Sequence, residues 1–394
     1  ANLLARAGRR VALFDSGRRP PLIVGESLIP AVVPILRELG VEEEVKSFSV
    51  YKPGATFRVE DHEFHYSFSD FGRKFPGYAY NTPRDRFDAA LLTAAVRAGA
   101  AHLQQSARIT TENGSDKIEL DGDSAGLAHD ALGGEPDLVI DATGRNRMFA
   151  NQAGIPSHTG KRRDTVLFAH LDRATVTMEG HIHIGRLTHG WHWIIPLPGK
   201  KSLGVVMDSD RWERYGATNE ERYDASLQSE PLLQEYAAGA TRLTPVMKYT
   251  NYQLLSDRFT GNGWALAGDA GGFVDPIFSS GLYLSMSGAS NLAHAILRGN
   301  GSAFSTYESE SHRIIRAWQR IVDLYYCGAV FAMFKVRLTP AANPVLHFMR
   351  EHAYQHMGRV FTGEAATSRY SVSLIEFVAR KLTDAQSAEE VRIG

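Results

Sequence analysis

The chain predicts a two-lobed α/β fold with a parallel-sheet lobe, an antiparallel-sheet lobe and a helical C-terminal region. Three observations carry this reading. Short apolar strands closed by an acid or a tight turn, "VALFD", "DLVIDATGR" and "GWALAGDA", are spread along the sequence as the strands of a parallel sheet are. From about Lys161 to Met207 the apolar period changes to two, with short turns, which is the pattern of an antiparallel sheet. Beyond about Ala303 the chain reads as mainly helical and rich in aromatics. No repeat or low-complexity linker separates these parts, so the lobes are interleaved in sequence. Residues 1–50, 80–155 and 250–300 are assigned to the first lobe, 51–79 and 156–249 to the second, and 301–394 to the helical region.

Taken in order, "ANLLARAG" has helical spacing and stops at a glycine, and "RRVALFDSG" is an apolar strand closed by Asp15. This is the second half of a βαβ unit, in which a strand-end acid bonds the ribose of a dinucleotide. A complete unit begins with a strand and a Gly-rich turn whose N–H groups meet the pyrophosphate. None precedes Ala1, so the unit is either amino-terminally truncated or never bound a dinucleotide; the motifs below favour truncation. "GESLIPAVVPILRELGV" reads as a loop entering an amphipathic helix interrupted near its start by Pro34, and "GATFRVEDHEFHYSF" as paired strands. "TPRDRFDAALLTAAVRAGA" is a helix capped by Thr82 with Pro83 at its first position. "PDLVIDATGRN" is a buried strand ending in a Thr-Gly turn, and a long helix begins at about Leu282.

Composition sets limits on function. A length of 394 residues allows a large core, and a net charge of −1 carries no footprint for nucleic acid. A lone cysteine, Cys327, precludes an internal disulfide and fits a reducing, cytoplasmic compartment. The most apolar stretch, "VDLYYCGAVFAMF", is too short to span a bilayer and reads as a buried helix. The 15 histidines show no metal spacing; His181 and His183 alternate on a strand without further ligands, so no metal is assigned.

The stretch "FVDPIFSSG" sits between a buried strand and a helix, with no charge after Asp275. Uncovered N–H groups at such a helix start bind anions, so the Ser279, Ser280, Gly281 turn is either a small-anion site or a plain helix cap. In "LAGDA", Gly268 lets the backbone approach a ligand and Asp269 accepts hydrogen bonds; Arg84 at a helix start lines the same site or is simply solvated. Trp191 and Trp193 share one face of a strand and make a rigid wall, with His192 on the other face as a structural residue. Lys52, by itself, reads as a surface lysine beside a Pro-Gly turn.

These segments together resemble the flavin-dependent halogenases. Phe273, Pro276, Ser279 and Gly281 match their F-x-x-P-x-x-S-x-G pattern, and "GWHWIIP" matches W-x-W-x-I-P through Trp191, Trp193, Ile195 and Pro196. "KPGATF" looks like their K-x-G-x-x-F motif, and "GESLIP" like the G-E-S-L-x-P segment before it. The resemblance covers about residues 1–300 and implies a flavin monooxygenase-like fold whose parallel-sheet lobe binds FAD and whose antiparallel lobe takes substrate.

It implies further that FADH2, supplied by a separate flavin reductase, reacts with oxygen to a flavin hydroperoxide, which chloride or bromide attacks to leave as hypohalous acid. Lys52 would then hold or carry the halogen and direct it to an electron-rich aromatic ring. Ser279, Ser280 and Gly281 would bind the halide, and Asp15, Arg84, Gly268, Asp269 and Gly281 the cofactor. Trp191 and Trp193 would form the barrier between flavin and substrate. The chain is shorter than the tryptophan-type enzymes and no residue matches their catalytic glutamate; Glu26 is not assigned as the base. That points to the shorter class acting on phenols or pyrroles in secondary-metabolite biosynthesis, with substrate free or tethered to a carrier protein. An aromatic hydroxylase of the same fold and a scaffold that has lost catalysis are the competing readings.

Overall fold

The computed structural model describes residues 1–71, 73–111, 118–160, 162–251, 253–338, 343–381 and residue 393. Lys161 and, in the C-terminal region, 339–342, 382–392 and 394 lie outside the described residues. The largest sheet has seven strands in the order Met247–Asn251, Asp164–Leu171, Lys200–Asp208, Gly190–Leu197, Ile182–Leu187, Gly54–Val59, His62–Ser67. All neighbours run antiparallel except Ile182–Leu187 against Gly54–Val59, which are parallel.

The period-two pattern is what allows this sheet to be covered on both sides. Every residue of Asp164–Leu171 and of Gly190–Leu197 is buried. Val166, Phe168, Trp191, Trp193 and Ile195 point into the main core, while Leu167, Ala169 and Ile194 point into a second core with Trp212, Tyr223, Leu233 and Tyr236. His192 joins the second face, fully buried against the Tyr236 ring, with neither ring nitrogen hydrogen-bonded. Burial holds its pKa down to about 3, so it is a neutral packing group.

The parallel component occurs as two separate pairs, Ala12–Phe14 with Ala101–Leu103 and Val139–Asp141 with Trp264–Leu266. The strand expected to be buried is half open. Val139–Asp141 pairs on one side only, and Ile140 is 36% exposed. The helix Arg84–Arg97 starts one residue later than expected, with Pro83 and not Thr82 at its cap. The cause is tertiary: the Thr82 N–H donates to the Glu26 carbonyl at 2.7 Å, which keeps Thr82 tied to the 25–28 segment, and its hydroxyl is buried without a partner. Pro34 does not break a helix; it stands in the first turn of Val33–Leu39, after a 3₁₀ turn over Pro30–Val32. The long helix is Ser280–Arg298, followed by Gly301–Tyr326, Ala329–Leu338, Pro344–Thr362 and Arg369–Lys381. Tyr325, Tyr326, Phe331 and Phe334 are buried in the main core. No described helix is long and apolar enough to cross a membrane.

Candidate active site

A cavity of about 390 Å³ opens between segments drawn from residues 25–27, 84, 191–195 and 267–282. Gly25, Glu26 and Ser27 form one side with Arg84, and Ala267, Gly268 and Asp269 another. The turn from Phe273 to Leu282 closes the third, and Trp191, Trp193 and Ile195 present the wall of the large sheet. The two indole rings lie 5.9 Å apart, as residues i and i+2 on one strand face must.

The turn is built by local hydrogen bonds. Asp275 Oδ1 accepts from the Ile277 N–H at 3.0 Å, and the Ser279 N–H donates to the Pro276 carbonyl at 3.0 Å. Ser279 then takes a left-handed conformation, φ 55 and ψ 28, and the helix starts at Ser280. Its first N–H groups have no partner within the helix, and the 19-residue helix carries its positive dipole end there. Ser279 and Gly281 line the cavity. The Ser280 side chain is fully buried, and its hydroxyl has no hydrogen-bond partner.

The cofactor residues expected from sequence divide into two groups. Gly268 and Asp269 line the cavity, as does Arg84. Gly268 has φ +61, and a Cβ there would meet the Ser285 hydroxyl at 3.3 Å. Asp269 accepts from that hydroxyl at 3.1 Å, and burial raises its pKa against the opposing pull of Ser285, Arg145 and Arg84. Arg84 pairs with Asp88 at 3.1 Å and donates to the Val24 carbonyl, so it braces the edge of the cavity as well as lining it. Asp15 does not reach the cavity. It is bound by Arg19 at 2.6 Å and by the Gly17 N–H at 3.0 Å, and the Arg19 guanidinium above all holds its carboxyl down at about 2. The aromatic wall, whose two indoles are tilted 47° to each other, the positive-φ glycine and the open helix start suit an anionic ring system such as that of FAD.

Lys52 is not the surface residue that its Pro-Gly context alone suggests. It is 1% exposed, with its Nζ donating to the Leu28 carbonyl at 2.8 Å and standing 5.3 Å from the centroid of the Phe68 ring. No carboxylate lies within ion-pair distance of it among the described residues, and burial lowers its pKa from 10.5 to about 7. The 25–28 segment connects it to the cavity: Gly25, Glu26 and Ser27 face the cavity, and the next carbonyl holds the lysine.

Two arrangements were not read from sequence. Glu26, at the cavity, pairs with His170 at 2.7 Å, both nearly fully buried. The available signal was a histidine on the core-facing side of "TVLFAHLD", in register with Val166 and Phe168. In the second, the Trp191 indole N–H donates to the Tyr326 hydroxyl at 3.1 Å, which donates to Asp275 Oδ2 at 3.1 Å. This chain ties the tryptophan wall to the Phe273–Gly281 turn through a helix that carried no motif. Arg162 stacks on the Tyr326 ring at 4.0 Å while pairing with Asp164 at 2.8 Å. Tyr326→Phe is expected to lower stability by about 1–3 kcal/mol, the cost of removing a buried hydrogen-bond partner. A urea midpoint equal to that of the wild type would show that the bridge carries no energy.

Comparison with known proteins places this geometry. The profile of the family described as tryptophan halogenase matches residues 76–330. The 1H-pyrrole-2-carbonyl-[peptidyl-carrier protein] chlorinase of Pseudomonas fluorescens is 27% identical, over 83% of this chain and 80% of its own. Tryptophan 2-halogenase of Chondromyces crocatus is 29% identical, over 83% of this chain and 65% of its own. Among solved structures, the flavin-dependent brominase Bmp2 superposes with a TM-score of 0.77 at 18% identity, covering 97% of this chain and 95% of its own. A flavoprotein/dehydrogenase from Cytophaga hutchinsonii gives 0.80 at 23% identity, covering 96% and 94%. These structural likenesses support the flavin monooxygenase-like fold. The family match spans well over half of the sequence, and the chain belongs to the tryptophan halogenase family, an enzyme of the flavin-dependent halogenases, which use FAD and halide.

Proposed function

We propose that the protein chlorinates or brominates an electron-rich aromatic substrate of the phenol or pyrrole class, with Lys52 as the catalytic residue. The observation that carries this is a buried lysine without an acid partner, bonded to the segment that lines the cavity. A lysine with a pKa of about 7 is divided between two useful forms near neutral pH. Charged, it donates a hydrogen bond or proton to hypohalous acid; neutral, it is a nucleophile toward the halogen.

In this reading FAD, reduced by a separate flavin reductase, supplies the two-electron reduction of oxygen that makes halide electrophilic. Arg84, Gly268, Asp269 and Gly281 would hold its ring, and Asp15, at the end of the strand Ala12–Phe14, would bond its ribose. Ser279, Ser280 and Gly281 present backbone donors to the halide. Trp191 and Trp193 keep the aromatic substrate away from the ring, so that only a small oxidant passes to Lys52. The substrate is taken by the antiparallel lobe, 51–79 and 156–249. The similarity to a chlorinase that acts on a pyrrole held by a carrier protein supports a carrier-tethered substrate as well as a free one.

The test is an incubation with FAD, a flavin reductase, NADH, oxygen and a panel of phenols and pyrroles, free and carrier-bound, with bromide replacing chloride in parallel, read by mass spectrometry. A product with the bromine isotope doublet is expected. A product that gains oxygen whatever the halide would overturn the proposal in favour of an aromatic hydroxylase.

A further inference from the structure

The proposed reaction consumes one proton from solvent in every turnover. Aromatic C–H, halide, oxygen, reduced flavin and one proton become aryl halide, oxidised flavin and two waters. The amine at the centre of that chemistry is sealed from solvent, with its one hydrogen bond to a backbone carbonyl. Protons reach a buried base only through groups that can both give and take them.

Three such groups run from the surface toward Lys52. Thr56, 1% exposed, lies on the strand Gly54–Val59, and its hydroxyl stands 3.1 Å from His65 Nδ1 and 3.0 Å from His181 Nδ1. A hydroxyl has one proton to donate, so it donates to one ring and accepts from the other, and reversing both bonds passes a proton along without moving a heavy atom. His65, its side chain 40% exposed, is the outer end; its Nε2 is 3.7 Å from Glu63. His181, 1% exposed, is the inner end and packs on the residue two after the lysine: a Cβ on Gly54 would come within 2.7 Å and 2.8 Å of its Cε1 and Nε2. The two sites feel each other. Desolvation first, then the charges of His183, His65 and Lys52, lower the His181 pKa to about 4. His183 faces the same region and is itself held neutral by burial, with Glu63 as the nearby acid.

We propose that His65, Thr56 and His181 form the proton path between solvent and the Lys52 amine. This rests on Lys52 being the catalytic lysine. A proton binds at His65 Nε2, the His65 Nδ1 proton passes to the Thr56 oxygen, the Thr56 proton passes to His181 Nδ1, and the His181 Nε2 proton leaves where the ring packs on Gly54, two residues from the lysine. Charge and protons balance at each transfer, and the path resets when the three groups return to their starting tautomers.

The test uses the full chain labelled with ε-15N lysine, in which exchange of the Lys52 ammonium protons with water is followed by NMR at pH 6. Thr56→Val, of the same shape without the hydroxyl, is expected to slow that exchange at least about tenfold, and Thr56→Ser to keep it near the wild-type rate. In turnover, the valine variant is expected to lose about tenfold in halogenation rate and to regain it as imidazole buffer is added, a rescue that a packing defect would not show. Wild-type exchange in the valine variant, or a serine variant as slow as valine, would overturn the path. The exchange needs neither flavin nor substrate, so an inactive wild type with Thr56-dependent exchange would remove the halogenase reading alone. An active wild type with Thr56-independent exchange would remove the path alone.

Discussion

Lys52→Ala loses halogenated product by at least about a hundredfold, the lower end of what a positioned proton donor contributes, while reoxidation of reduced flavin by oxygen continues. The separation is expected because the lysine is held behind the segment that lines the cavity, on the Leu28 carbonyl, and does not itself line the space where FAD fits. Removing it leaves the cavity walls in place. Unchanged halogenation in the variant would end the assignment of Lys52; loss of both activities would mean that the residue supports the cofactor side.

The same residue has a measurable cost in stability. The difference between 10.5 and about 7 corresponds to about 5 kcal/mol at 1.36 kcal/mol per pKa unit. A folded value below the unfolded one means that the unfolded chain binds more protons between pH 7 and pH 10.5, so stability rises with pH through that window. Below pH 7 the full cost is present, and above 10.5 it is gone. Lys52→Met, which keeps the volume and removes the charge, is therefore more stable than the wild type at pH 6. Its advantage shrinks by about 2.5 kcal/mol by pH 9 in urea denaturation. A gap that does not change with pH would show that the amine is not buried in solution. A buried lysine kept at this cost without an acid partner is a candidate for a functional role, which is what the proposal assigns to it.

The parts legible in sequence are those that depend on local period. Alternation placed Trp191 and Trp193 on one face and His192 on the other, because side-chain direction in a strand alternates whatever surrounds it. The turn before the helix Ser280–Arg298 was legible for the same reason, since proline, serine and glycine act through their own backbone. What was not legible depends on distant partners. Lys52 beside Pro53 and Gly54 looks like a surface turn; its burial comes from distant partners such as Leu28, Phe68 and the strand Ala79–Asn81. Thr82 has the composition of a cap but spends its N–H on Glu26. His170 and Tyr326 gain their meaning from Glu26, 144 residues away, and from Asp275, 51 residues away.

Gly54→Ala destabilises the protein by at least about 3 kcal/mol, the upper end of what a single overpacked methyl costs. The reason is space, because Gly54 is not among the glycines with positive φ. A Cβ at this position would stand 2.2 Å from the Tyr66 carbonyl oxygen, besides its close approach to the His181 ring. Neither neighbour yields cheaply. Tyr66 lies in the strand paired with Gly54–Val59, in register Ala55 to Tyr66, so its carbonyl moves only if the ladder opens. His181 is held at its Nδ1 by Thr56. The methyl therefore pushes the start of the strand away, and Lys52, two residues earlier, comes off the Leu28 carbonyl. Halogenation should fall further than flavin binding, since the cavity lining does not include this strand. Wild-type stability in the alanine variant would mean that the two strands do not approach so closely in solution, and would weaken the case for His181 as a neighbour of the lysine. The glycine two places after the lysine thus has a packing role that its sequence context, a Pro-Gly pair, disguises as a turn: it lets a histidine ring and a strand carbonyl close on the backbone two residues from Lys52.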